Sequence, residues 1–105
     1  MAGTVMVDHN DDDITIKIDG LFNFTMHTQF RTAYQNCPMN GKRFIIDLTN
    51  TQHIDSSAFG MLLLLREYAG INTATVELAN PCPEVRKILE AAHFHRFFKI
   101  TPAVA

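Results

Sequence analysis

The stretch Phe44-Ile45-Ile46-Asp47-Leu48, separated by a short polar segment from Ile54-Asp55-Ser56-Ser57-Ala58-Phe59-Gly60, decides how this chain folds. Its first part is a nearly continuous apolar run broken by Asp47, the pattern of a central strand covered on both faces. Thr49 to Ile54 reads as a loop. Asp55 and Ser56 then offer caps for a helix over Ala58 to Ala69, and Gly70 stands where a left-handed residue ends it. A helix start presents unpaired N–H groups and a partial positive charge, so it accommodates a carboxylate or a phosphate. The same residues also suit a purely structural role in which Asp55 and Ser56 only cap the helix.

Working outward, Val5 and Val7 alternate with Met6 and Asp8, and Ile14, Ile16 and Ile18 alternate with Thr15, Lys17 and Asp19. This period of two predicts two half-buried strands with a turn over His9 to Asp13. From Phe22 the period becomes helical through Met26, Phe30, Ala33 or Tyr34, and Cys37, with Asn23 or Thr25 as N-cap. That helix is expected to stop near Cys37-Pro38, before a turn at Asn40-Gly41. Downstream, Thr73 to Ala79 reads as a strand, Asn80 to Pro83 as a stiff loop, and Glu84 to Ala92 as a third helix with Val85, Ile88, Leu89 and Ala92 inward. Phe97, Phe98 and Ile100 are read as a short edge strand. Strands and helices alternate from the second strand onward, which predicts an α/β domain with a mixed sheet of four to five strands and about three main helices.

The chain has 105 residues, 47% of them hydrophobic and 19% charged, enough for one domain over residues 1–105 and too few for two. A net charge of -2 is too weak a bias to attract nucleic acid or an anionic membrane by charge alone. The longest apolar run, Phe59 to Leu65, falls well short of the roughly 20 residues of a membrane span, so no membrane insertion is expected. Cys37 and Cys82 form no CxxC pair, and with no apolar leader the expected location is the cytoplasm. His53, Asp55 and Ser57 are the residue types of a hydrolytic triad but lie within one loop, without a GxSxG elbow. His9, His27, His93 and His95 lack metal-ligand spacing. No catalytic residue, metal or cofactor is therefore expected, and no Gly-rich phosphate loop is present.

The segment from Arg43 to Gly70 resembles the signature of the STAS domain, the family of bacterial anti-sigma factor antagonists, in which a strand ending in Asp-Leu leads to Asp-Ser-Ser-Gly-Leu-Gly. Here the motif reads Asp55-Ser56-Ser57-Ala58-Phe59-Gly60. Two opening strands, a Gly20-Leu21-Phe22-Asn23 turn similar to the family's Gly-Glu-Leu-Asp, and Asn80-Pro81 before a last helix extend the resemblance along nearly the whole chain. Ala58 departs from the usual Gly, and Leu21 with Asn23 depart from the usual acidic pair.

The resemblance implies a non-enzymatic, phosphorylation-switched protein. Unphosphorylated, such a protein sequesters an anti-sigma factor that is also a serine kinase; phosphorylated, it releases that partner until a serine phosphatase resets it. By position the phosphoacceptor is Ser57, with Ser56 a less favoured acceptor and Asp55 and Ser56 capping the helix and orienting the site. Helical geometry turns Ala58, Leu62, Leu65 and Ala69 toward the sheet and leaves Ser57, Gly60, Leu64, Glu67 and partly Met61 on the other side. Ser57, Gly60, Met61 and Leu64, joined by Asn23 because its turn resembles the family's, are the candidate partner surface, although the apolar ones also suit packing under neighbouring elements. The alternative is a STAS regulatory subunit of an ABC-type membrane transport complex, which needs no acceptor serine.

Overall fold

In the computed structural model residues 3–9, 13–35, 43–70 and 76–101 are described. Strands β1 (Thr4–His9) and β2 (Asp13–Phe22) pair antiparallel, from Thr4 opposite Asp19 to His9 opposite Ile14. A single 3-10 turn (Phe24–Met26) leads into α1 (His27–Gln35). Then come β3 (Arg43–Asp47), β4 (Thr51–Ile54), α2 (Ser56–Tyr68), β5 (Val76–Ala79), α3 (Pro83–Ala91), a second 3-10 turn (Phe94–Arg96) and β6 (Lys99–Thr101). The sheet runs β1-β2-β3-β5-β6, with β4 paired to β2, and every pairing other than β1 with β2 is parallel. The expected mixed α/β sheet is present, with six strands among the described residues in place of four or five.

The additional strand is β4, in the segment read as a loop. β2 is long enough to take two partners end to end: Asp13 to Lys17 pair with β3, and Gly20 to Phe22 pair with β4. Within the β4 pairing the register shifts by one residue, Gly20 facing Thr51 and Leu21 facing His53, at a glycine whose φ of +88° side chains rarely adopt. Gly20–Phe22 is accordingly strand, and the turn expected there begins only at Asn23. Thr51-Gln52-His53-Ile54 hid its strand character because its two ends are buried and its middle is exposed, so no alternation shows. Thr51 is tolerated inside because its hydroxyl donates to the Ile18 carbonyl at 2.6 Å.

Burial alternates along β3: Phe44 and Ile46 are enclosed, whereas Arg43 is exposed and Ile45 and Asp47 are half-buried. The expectation of a strand covered on both faces is therefore corrected. Ile14, Ile16 and Ile18, Phe44 and Ile46, and Val76 and Leu78 join one core with Phe30 and Tyr34 of α1, Ala58, Leu62 and Leu65 of α2, and Val85 and Leu89 of α3. Across the sheet from this core, Arg43 bridges Asp13 at 3.1 Å and Glu77 at 3.3 Å. Charged side chains replace covering helices there.

Phe22, expected to open the first helix, instead ends β2, and its ring packs 5.2 Å from that of Phe30. α3 begins one residue earlier than expected, with Pro83 in its first turn, where the missing N–H costs nothing. Phe98, expected in the last strand, is buried on Phe94 at 5.4 Å before β6 begins. The expected stop near Cys37-Pro38, the Asn40-Gly41 turn and residues 73–75 lie outside the described residues, as does part of the turn before Asp13. Among the described residues no helix is long and apolar enough to cross a membrane.

α2 supplies the sharpest test of this packing. Leu62 is fully buried while Leu64, two residues on, is 53% exposed. Leu62→Ala is expected to lower stability by about 2–5 kcal/mol through lost burial and a residual cavity, and Leu64→Ala by no more than about 0.5 kcal/mol. Urea unfolding of the two variants measures the difference.

Candidate functional site

In open α/β sheets the functional crevice lies beyond the carboxyl ends of the parallel strands. Phe22 and Ile54 are register partners at the ends of β2 and β4, so the residues that follow them, Asn23 and Asp55, leave the sheet side by side. Both do the same local work. Asn23 caps the first 3-10 turn by accepting from the Thr25 N–H at 2.9 Å and the Thr25 hydroxyl at 2.5 Å. At the start of α2, Asp55 Oδ1 accepts from the Ser57 N–H at 3.0 Å, the Ala58 N–H at 3.2 Å and the Ser57 hydroxyl at 2.5 Å.

The hydroxyl bond is the short, charge-assisted one. It is also the largest reason the Asp55 carboxyl is held below its ordinary value; partial desolvation opposes this, and the Ala58 and Ser57 N–H groups and the nearby His53 assist. Asp55 thus caps the helix and fixes the Ser57 side chain. Ser56, expected to share the capping, is instead the exposed first residue of α2, and Ser57 is half-buried.

On the outer face of α2, Ser57, Gly60 and Leu64 follow at i, i+3 and i+7, with Gly60 exposed. A Cβ added at Gly60 would meet nothing within 4 Å, so packing does not demand glycine there. A mid-helix glycine costs roughly 0.5–1 kcal/mol relative to alanine, and here it leaves bare backbone beside the serine. Leu64 projects into a groove of about 340 Å³ between α1 and α2, lined also by Arg31, Tyr34, Gln35, Glu67 and Tyr68.

Met61 is corrected: at 5% exposure it belongs to the core. Its angular position lies at the boundary of the buried face, and a flexible thioether readily fills an interior gap. Several exposed apolar side chains were missed, among them Phe24, Leu63 and Tyr68. Phe24, 66% exposed, stacks on His27 with ring centroids 5.0 Å apart, directly after Asn23; Leu63 is 39% exposed. The signal for Phe24 lay in its place immediately after a capping Asn, where a side chain is carried off the sheet end.

His53, Asp55 and Ser57 do not form a triad. The serine hydroxyl donates to Asp55, while His53 Nδ1 lies 3.9 Å from Glu84 Oε1 on α3. Among the described residues no three His, Cys, Asp or Glu side chains gather as a metal-binding group.

Asp55→Ala is expected to lower stability at neutral pH by about 1 kcal/mol, and Asp55→Asn, which keeps the accepting oxygen, by less. Because the folded carboxyl lies below the unfolded value of about 3.9, the charge-dependent part is present above that value and lost as pH falls through the folded one. Urea unfolding of the parent and Asp55→Asn, repeated downward from pH 6, should show their difference shrinking in that window.

The family model of the STAS domain matches residues 4–105. The chain is 46% identical over 101 residues to the STAS-domain containing protein PA14_20770 of Pseudomonas aeruginosa (strain UCBPP-PA14), covering 96% of this chain and all of that one. Among solved structures it is similar to the anti-sigma factor antagonist SpoIIAA in its unphosphorylated form, with a TM-score of 0.73, 19% identity, and coverage of 93% of this chain and 88% of that one. SpoIIAA of Bacillus in its phosphorylated form gives a TM-score of 0.63 at 16% identity, covering 93% and 91%. An anti-sigma factor antagonist from Mycobacterium paratuberculosis gives 0.75 at 15% identity, covering 98% and 88%. With its family model matched almost end to end and its sheet and helices arranged as in these antagonists, the chain belongs to the STAS domain family.

Proposed function

We propose that this protein is an anti-sigma factor antagonist switched by phosphorylation of Ser57. The observation that carries the reading is the Ser57 hydroxyl, fixed on the Asp55 carboxylate at the carboxyl end of the sheet, near half-buried Asn23 and exposed Phe24, Gly60 and Leu64. Unphosphorylated, that surface binds an anti-sigma factor with serine kinase activity and so frees a sigma factor. The kinase supplies the nucleotide; this chain supplies the acceptor and is itself no enzyme. A serine phosphatase restores the binding form. The acceptor pair also favours this role over that of a transport-complex subunit, which has no use for a modifiable hydroxyl.

The switch is electrostatic. A phosphoserine carries about -1.5 to -2 charges and three acceptor oxygens. Enclosing it against an apolar partner surface leaves a charge to be buried without a counter-ion, at a cost of several kcal/mol. At about 1.4 kcal/mol per tenfold, affinity falls a hundredfold or more.

Incubation with the cognate kinase and ATP is expected to add one phosphate, placed on Ser57 by fragment mass spectrometry; a phosphate confined to Ser56 sinks the assignment. Calorimetric titration should show Ser57→Ala binding the anti-sigma partner as tightly as the parent, and Ser57→Asp, with a single charge, binding with intermediate affinity. Leu64→Ala should weaken the same complex while leaving the fold intact. Equal affinities for the Ala and Asp variants contradict a charge switch at this position.

A further inference from the structure

We propose that phosphorylation of Ser57 exchanges the cap of α2: the phosphate takes over the helix N-terminus and Asp55 is expelled to the surface. The inference rests on Ser57 being the acceptor and deepens that reading to the regulation of the site. Transfer of a phosphoryl group from a nucleoside triphosphate forms the Ser57 Oγ–P bond and releases the nucleoside diphosphate and the hydroxyl proton. That proton is the one now shared with Asp55 Oδ1 across 2.5 Å. Once it is gone, two oxygens face each other with no hydrogen between them, and a group of about -1.5 to -2 charges stands beside a carboxylate.

The two anions then compete for the same donors. The Ser57 and Ala58 N–H groups both end on Asp55 Oδ1. The phosphate carries the larger charge and three oxygens, and it is tethered to Ser57 itself, so it satisfies these groups and the positive end of the helix better than the carboxylate does. Asp55 is an exposed residue and has room to turn outward. Its carboxylate then emerges next to Asn23, adding a second negative charge to the face that meets the partner. An aspartate at position 57 has a shorter reach and one charge, so it displaces Asp55 less completely.

The test uses the full chain with phosphoserine installed at position 57 by genetic encoding, which makes it independent of any kinase. With the free hydroxyl, Asp55→Ala should raise the unfolded-to-folded ratio about five-fold, the ordinary effect of losing an N-cap. With phosphoserine the same substitution should leave that ratio unchanged or lower it. In parallel, the carbon shift of the Asp55 carboxyl should move to that of a solvated aspartate in the phosphoprotein, with the largest amide changes at Ser57 and Ala58. An equal Asp55→Ala penalty in both forms, or an unmoved Asp55 carboxyl, overturns cap exchange even where a kinase modifies Ser57. Cap exchange in a phosphoprotein whose partner affinity is unaltered supports the inference and defeats the switch proposed above.

Discussion

The candidate site depends on one pairing, Phe22 of β2 opposite Ile54 of β4. β2 outlasts β3, and the residues beyond that overlap need a partner for their N–H and C=O groups. The chain leaving β3 supplies it by stepping aside over three residues and resuming as β4. The Gly20 N–H donates to the Asn50 carbonyl at 2.9 Å, and the Thr51 hydroxyl donates to the Ile18 carbonyl at 2.6 Å. Without this second partner, Asp55 and Ser57 would begin their helix from an untethered loop.

Among the described residues the same local device occurs at three strand ends. Asn23-Phe24-Thr25, Asp47-Leu48-Thr49 and Asp55-Ser56-Ser57 each place an Asx oxygen on the N–H and hydroxyl of the residue two positions later. The first starts the turn into α1, the second carries the chain from β3 to β4, and the third starts α2. Short polar side chains bonding to their own backbone are thus what converts the end of each strand into a defined exit. Only in the third is the oxygen a carboxylate at the start of a long helix, where its charge meets both the macrodipole and a serine hydroxyl.

Elements that bury one face over several residues were legible in the sequence. The isoleucines of β2, the helical spacing of Met26, Phe30 and Tyr34, and the stop at Gly70, whose φ is +100°, all stand where the pattern put them. β4 was not legible, because a four-residue strand that shifts register shows no period and one of its two buried ends is a threonine satisfied by a distant carbonyl. Coverage of β3 on one face escaped for a related reason: Ile45 makes the run look continuous, yet it sits among Arg43, Asp47 and Glu77 on the side without helices. At the site, the Asp55 cap was readable from residue type and spacing, whereas Ser57 stood out only through the family resemblance. Met61 was not, since rotation around a helix axis cannot decide a side chain at the edge of the buried arc, and Phe24 was marked only by its place after a capping Asn and by no period.

The parallel pairings set the order in which the molecule is assembled. β1 and β2 are joined by a short connection and close locally, whereas Ile14 meets Phe44, Phe44 meets Val76 and Glu77 meets Lys99 only after long crossovers. Loop closure for those contacts comes before their reward, which places folding among the slower mixed topologies. On the ribosome the amino-terminal hairpin can form early, but its apolar inner face stays uncovered until the chain through α2 has emerged. Nascent chains of this topology therefore expose β2 to other unfolded chains for most of their synthesis, and chaperone contact should concentrate on its isoleucines.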